Sequence, residues 1–113
     1  MTDLEISGFH LHVYYDLDDL PTGIEVHRDL LKGLTCIDGC GPVKRVPVGP
    51  HPKPSFEVWF QNSHLGEVVL WVLQNRRGLS ALIHPLTKNE IRDHSEHAVW
   101  IGSPLTLDFT FLK

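Results

Sequence analysis

The sequence predicts an α+β sandwich. Two stretches alternate apolar and polar residues with the two-residue period of a strand that buries one face: Phe9-His10-Leu11-His12-Val13-Tyr14-Tyr15 and Ser55 to Gln61. Two further stretches carry apolar residues at helical spacing, and a strand-like segment follows each of them. The order strand, helix, strand, strand, helix, strand is that of the split βαβ, a ferredoxin-like βαββαβ sandwich, here with an extra C-terminal strand. At 113 residues the chain can bury one core, and 1–113 is read as a single domain.

In the first strand Phe9, Leu11 and Val13 point to the core, and His10, His12 and Tyr14 point the other way. Asp16 to Gly23 is acidic, contains Pro21 and reads as a loop. A helix follows from Ile24 to Lys32, with Ile24, Leu31 and Leu34 on one stripe, His27 among them, and Gly33 as its stop. Val43 to Val48 reads as a short strand at a sheet edge, because Pro47 cannot donate to a ladder. Gly49-Pro50-His51-Pro52-Lys53-Pro54 is a rigid connection. In the next strand Phe56, Val58 and Phe60 oppose Glu57, Trp59 and Gln61.

Ser63 is the expected N-cap of a helix from His64 to Arg77, closed by Gly78. Leu65, Val68, Val69 and Val72 form its stripe, and Leu70, Trp71 and Leu73 widen it beyond what one sheet face covers, which suggests a partner subunit. Leu79 to Ile83 is a strand ending at His84-Pro85, and Thr87 and Glu90 have capping-box spacing. Leu105, Leu107, Phe109 and Phe111 alternate with polar residues and predict the extra strand.

Composition narrows the function. Hydrophobic content of 42% and charged content of 21% are those of a soluble domain. A net charge of −4 argues against a nucleic-acid partner. No apolar run is long enough to span a bilayer and no secretory pattern opens the chain, so a cytoplasmic location is expected. Cys36 and Cys40, four apart, fit neither a redox pair nor a zinc framework and read as structural or incidental thiols. The eight histidines are the unusual feature.

In the expected topology the first strand is central, both helices cover one face, and His10, His12, Tyr14, Glu57 and Trp59 share the other. His10 and His12, about 6.5–7 Å apart along the strand, can reach one ion. The antiparallel fourth strand brings His84 beside His10, and His94 and His97 leave from the same edge. Imidazole suits iron or zinc, and two histidines with a carboxylate suit ferrous iron with open positions. His51 and Glu57 are expected nearer the other end, so either the site runs along the strand or a second subunit contributes. Spacing leaves the ligand set open.

Each of these residues also has a plainer reading. His-x-His alone reads first as the solvent face of a strand; Tyr14, Trp59 and Trp100 read as packing, His64 as solvated. Arg92 and Asp93 read as a surface pair, with a bidentate grip on a substrate carboxylate as the functional alternative for Arg92.

Four stretches then stand out together: Phe9-His10-Leu11-His12-Val13-Tyr14-Tyr15-Asp16, Gly49-Pro50-His51-Pro52-Lys53-Pro54, Leu82-Ile83-His84-Pro85 and Asp93-His94-Ser95-Glu96-His97-Ala98-Val99-Trp100-Ile101-Gly102. In order and character they resemble the DOPA 4,5-dioxygenase family over essentially the whole chain, and Phe56-Glu57-Val58 resembles the strand after that family's Gly-Pro-His-Pro turn. The resemblance implies a small cytoplasmic protein, often a homodimer, related to the non-haem-iron extradiol dioxygenases. Its substrates would be dioxygen and a catechol such as L-DOPA, opened to a seco product. Its cofactor would be Fe(II), with zinc or nickel as substituting ions.

With that chemistry in view, His10, His12 and His84 are the expected metal set, with Glu57 as the candidate carboxylate. His51 and His97 are the expected acid/base residues, and His94, Arg92, Tyr14 and Trp59 the expected substrate contacts. Two contrasting readings remain: a non-catalytic dimeric module that binds a metal or an aromatic ligand, and a zinc hydrolase.

Overall fold

The computed structural model describes residues 4–113. Its five strands are β1 (Phe9–Tyr14), β2 (Gly39–Cys40), β3 (Ser55–Phe60), β4 (Ala81–Pro85) and β5 (Val99–Ile101). The helices are α1 (Leu20–Gly33), α2 (Leu65–Asn75) and the single turn α3 (Glu90–Asp93). All neighbouring strands are antiparallel, in the order β2-β3-β1-β4-β5. The fold is therefore α+β, with β1 central between β3 and β4, as the alternation of β1 and β3 requires.

Register explains why one face is a core. Leu11 lies opposite Val58 and Ile83, and Val13 opposite Phe56 and Ala81. Val26 and Leu30 from α1, with Val68 and Val72 from α2, complete the same buried cluster. Each such fully buried aliphatic side chain contributes about 1.5–3 kcal/mol. Leu70 and Leu73 lie on the outer side of α2 and remain exposed. Among the described residues no helix is long and apolar enough to cross a membrane.

Several local expectations need correction. Helix α1 begins at Leu20 rather than Ile24, because Pro21 occupies its first turn, where a missing N–H costs nothing. Ser63 is not the N-cap of α2: a 3-10 turn over Asn62–His64 leads in, with no side-chain cap. Arg77 and Gly78 both take positive φ (51° and 80°) and stop α2. Val43 to Val48 forms no strand; the edge position goes to Gly39–Cys40, which pair with Trp59 and Val58. Asn89, rather than Thr87, caps α3 by accepting from the Arg92 N–H.

The extra strand is also elsewhere. It is Val99–Ile101, paired with β4, whereas the alternating stretch Leu105 to Phe111 joins no ladder and ends in a 3-10 turn over Phe109–Phe111. Asp108 builds that turn, accepting from the Thr110 N–H and hydroxyl, and its own N–H donates to the Pro50 carbonyl at 2.9 Å. The C-terminal segment thus reaches the loop that carries His51.

A histidine-lined candidate metal centre

Strand pairing alone assembles the centre of the site. His10 lies opposite His84 across the β1–β4 ladder, and His12 lies opposite Glu57 across β1–β3. One nitrogen from each of His10, His12 and His84 lies within 4.8 Å of the other two. His12 and His84 are only 4% and 2% exposed, so their polar atoms must be satisfied inside the protein. Their Nε2 atoms stand 3.1 Å apart. His84 Nδ1–H donates to the Pro85 carbonyl at 3.0 Å, which leaves its Nε2 as the acceptor from His12 Nε2–H.

The donor set fits a metal. Two nitrogens bound to one ion at about 2.1 Å lie about 3.0–3.4 Å apart, which is the separation of the His12 and His84 nitrogens. His10 Nδ1 sits 3.1 Å from Glu57 Oε1, so the carboxylate fixes the tautomer whose Nε2 lone pair is free. Glu57, expected as a ligand, is held by His10 in this geometry and lies outside the group of convergent donors.

Burial keeps these imidazoles neutral. It pushes His84 down to about 3 and His51 down to about 4, with neighbouring imidazoles adding repulsion to any proton that arrives. His12 is held well below its ordinary value by burial first, then by His51, His84, His10 and His94. His10 is lowered by burial, with the Glu57 carboxylate opposing the shift. Metal ligation requires unprotonated imidazole, so at neutral pH the cluster can take an ion without losing a proton to solvent, the His12 hydrogen passing from Nε2 to Nδ1.

His10, His12, His51, Glu57, His84 and His94 all line one cavity of about 340 Å³. His51 and Glu57 were expected at the far end of the sheet; a single chain brings both to the same place. The His51 ring centroid is 4.2 Å from that of His12, and His51 Nδ1 is 2.7 Å from the Tyr14 hydroxyl. Tyr14 is buried, stacks on Trp100 with centroids 5.8 Å apart, and is kept a neutral phenol because burial raises its pKa. His94, its ring centroid 3.9 Å from that of His84, is held by Nδ1–H to the Glu90 carbonyl.

Four expected site residues do not line this cavity: His97, Arg92, Tyr14 and Trp59. Arg92 pairs with Glu96 on the surface at 3.4 Å. Trp59 lies over Gly39, where any Cβ would meet the indole at 2.6 Å. Conversely, Pro50, Leu86, Phe111 and Leu112 supply apolar walls that the sequence pattern did not announce. Asp93, read as a surface residue, is buried and accepts from both the Thr87 N–H and hydroxyl, fixing the segment that carries His94.

Comparison with known proteins follows this architecture closely. The pattern of the Dopa 4,5-dioxygenase family matches residues 9–111. The DOPA 4,5-dioxygenase of Amanita muscaria is 35% identical over 97% of this chain and 51% of its own length. An uncharacterized 21.2 kDa protein of Botryotinia fuckeliana is 43% identical over 59% of this chain and 41% of its own. The chain thus spans about half or less of the length of these curated relatives. A crystal structure of a proposed dioxygenase from Nostoc punctiforme superposes with a TM-score of 0.87 at 35% identity, covering 94% of this chain and 90% of that one. With the histidine-bearing strands and the connecting loops all inside the matched region, the chain belongs to the Dopa 4,5-dioxygenase family.

Proposed function

We propose that the cavity holds ferrous iron on His10, His12 and His84 and opens the ring of a catechol such as L-DOPA beside its two hydroxyls. The convergence of three imidazole nitrogens within 4.8 Å carries this reading. Three neutral nitrogens on one side of an ion leave its remaining positions for substrate, the arrangement suited to ferrous oxygenase chemistry. Zinc or nickel would fit the same donors as substituting ions. Bound there, iron would supply the Lewis acidity that ionises a catechol and a path by which the catechol's own electrons reach dioxygen.

The chain's own groups account for the rest. His51 is unprotonated at neutral pH, and with Nδ1 facing Tyr14 its Nε2 is the nitrogen able to take a proton. The Tyr14 hydroxyl can donate to Nδ1 or accept from it, and so serves His51 whether or not Nε2 carries the proton. His51 would accept a catechol proton and return it as the ring carbon–carbon bond breaks and both atoms of dioxygen enter the product. Glu57 orients His10 instead of binding the ion. Leu86, Phe111 and Leu112 offer apolar contact to the ring, and among the described residues no lysine or arginine lines the cavity to grip a carboxylate.

The test is oxygen uptake. Protein loaded anaerobically with ferrous iron and mixed with L-DOPA or caffeic acid is expected to consume oxygen and develop a yellow ring-opened product. Iron and catechol bound without any oxygen consumption would reject catalysis and leave a binding module.

A further inference from the structure

A second group of metal-ligating side chains lies outside the histidine cavity. Cys36, His64 and Glu67 each place one ligand atom within 4.8 Å of the other two, and none of them lines that cavity. His64 immediately precedes α2 and Glu67 sits in its first turn, so a three-residue separation sets them side by side, with His64 Nδ1 4.0 Å from Glu67 Oε1. Cys36 comes from the connection between α1 and β2, packs against the helix-side core, and has its Sγ within 4.8 Å of a Glu67 carboxylate oxygen. All three keep some exposure. An ion can reach them from solvent.

We propose that Cys36, His64 and Glu67 form a second divalent-cation site, selective for a borderline-soft ion such as zinc and with its fourth position open to water. Thiolate, imidazole and carboxylate are the three ligand types zinc takes, and three protein ligands plus water complete a tetrahedron. The charges balance as well. Thiolate and carboxylate together cancel a doubly charged ion, so the occupied site is neutral, which matters because the start of α2 repels net positive charge. Binding exchanges the thiol proton for the metal, and that proton is released to solvent. The ion would tie the α1–β2 connection to α2, two parts of the chain that pack against the same core.

Cobalt(II), titrated anaerobically into the full chain, reads this site directly. A sulfur-to-cobalt charge-transfer band requires a thiolate on the metal, and the histidine cavity contains none. The band is expected in the wild-type chain, complete by two added ions because the histidine cavity can take the other, lost in Cys36→Ser and weakened in His64→Ala, a change at a half-exposed position that leaves the core alone. No band in the wild-type chain, a band surviving Cys36→Ser, or one indifferent to His64→Ala overturns the assignment.

Discussion

Leu11 and His12 are neighbours on β1 and both are buried, yet they face opposite sides of the sheet and are buried for different reasons. Leu11 enters a contiguous apolar cluster beneath α1 and α2, where removal from water is itself stabilising. His12 enters a cluster of imidazoles where desolvation and mutual repulsion both disfavour charge. Nothing about folding alone favours that second arrangement. It is the kind of locally unfavourable grouping that persists where a ligand is to be bound. One face of β1 therefore specifies the fold, and the other carries the proposed chemistry.

The sharpest way to break this contrast is to delete one residue on each side. His12→Ala is expected to abolish ferrous-iron binding, and ring opening with it, while the variant still unfolds cooperatively. Leu11→Ala is expected to lose about 2–5 kcal/mol of stability and yet bind iron wherever it remains folded. Calorimetric titration with iron and denaturant unfolding, run on both variants, read the two axes separately. Next in size is His51→Ala. It is expected to lower the ring-opening rate by about 10²–10⁴ with iron affinity retained, because the residue moves a proton and does not hold the ion. Rate and affinity falling together would instead make it a ligand.

Glu57→Gln should be milder, weakening iron binding by about 10–100-fold through a loosened His10. A loss as complete as that of His12→Ala would show Glu57 to be a direct ligand.

A last expected effect, on stability rather than on activity, is its dependence on pH in the metal-free protein. Folding holds His84 near 3 and His51 near 4, below the value of about 6.5 that the unfolded chain carries. In that interval the unfolded state binds more protons, so acid favours unfolding. Stability should be flat above about pH 7 and fall as pH drops below about 6.5, by up to about 1.4 kcal/mol per pH unit for each such histidine. Thermal unfolding of the metal-free chain between pH 7 and 5 is expected to show this slope, and His51→Gln to reduce it.

The helix-covered face was largely legible in the sequence, because a strict two-residue alternation admits only one register against a core. Phe9, Leu11 and Val13, with Phe56, Val58 and Phe60, fall where the pattern puts them. The site face was legible only in part. His10, His12 and His84 follow from strand order, but the approach of His51 depends on a proline-rich loop, whose path has no periodicity to read.

His94 and His97 are both carried by a short turn beside α3. There His94 bonds back to Glu90 and His97 turns away with its N–H on the Arg92 carbonyl; spacing alone could not choose between them. Leu105 to Phe111 misled for a different reason. Alternation signals burial on one side, and Leu105 and Leu107 are indeed half-buried, but no strand edge is paired with that segment, and Asp108 turns it toward Pro50.

The central claim is that the three histidines gathered on the open side of the sheet hold one ion. Anomalous diffraction at the iron absorption edge, from crystals loaded anaerobically with ferrous iron, tests it most directly. The account predicts one strong peak about 2.0–2.2 Å from a nitrogen of each of His10, His12 and His84. An iron peak bound by other residues, or none on these three in iron-saturated crystals, would contradict it.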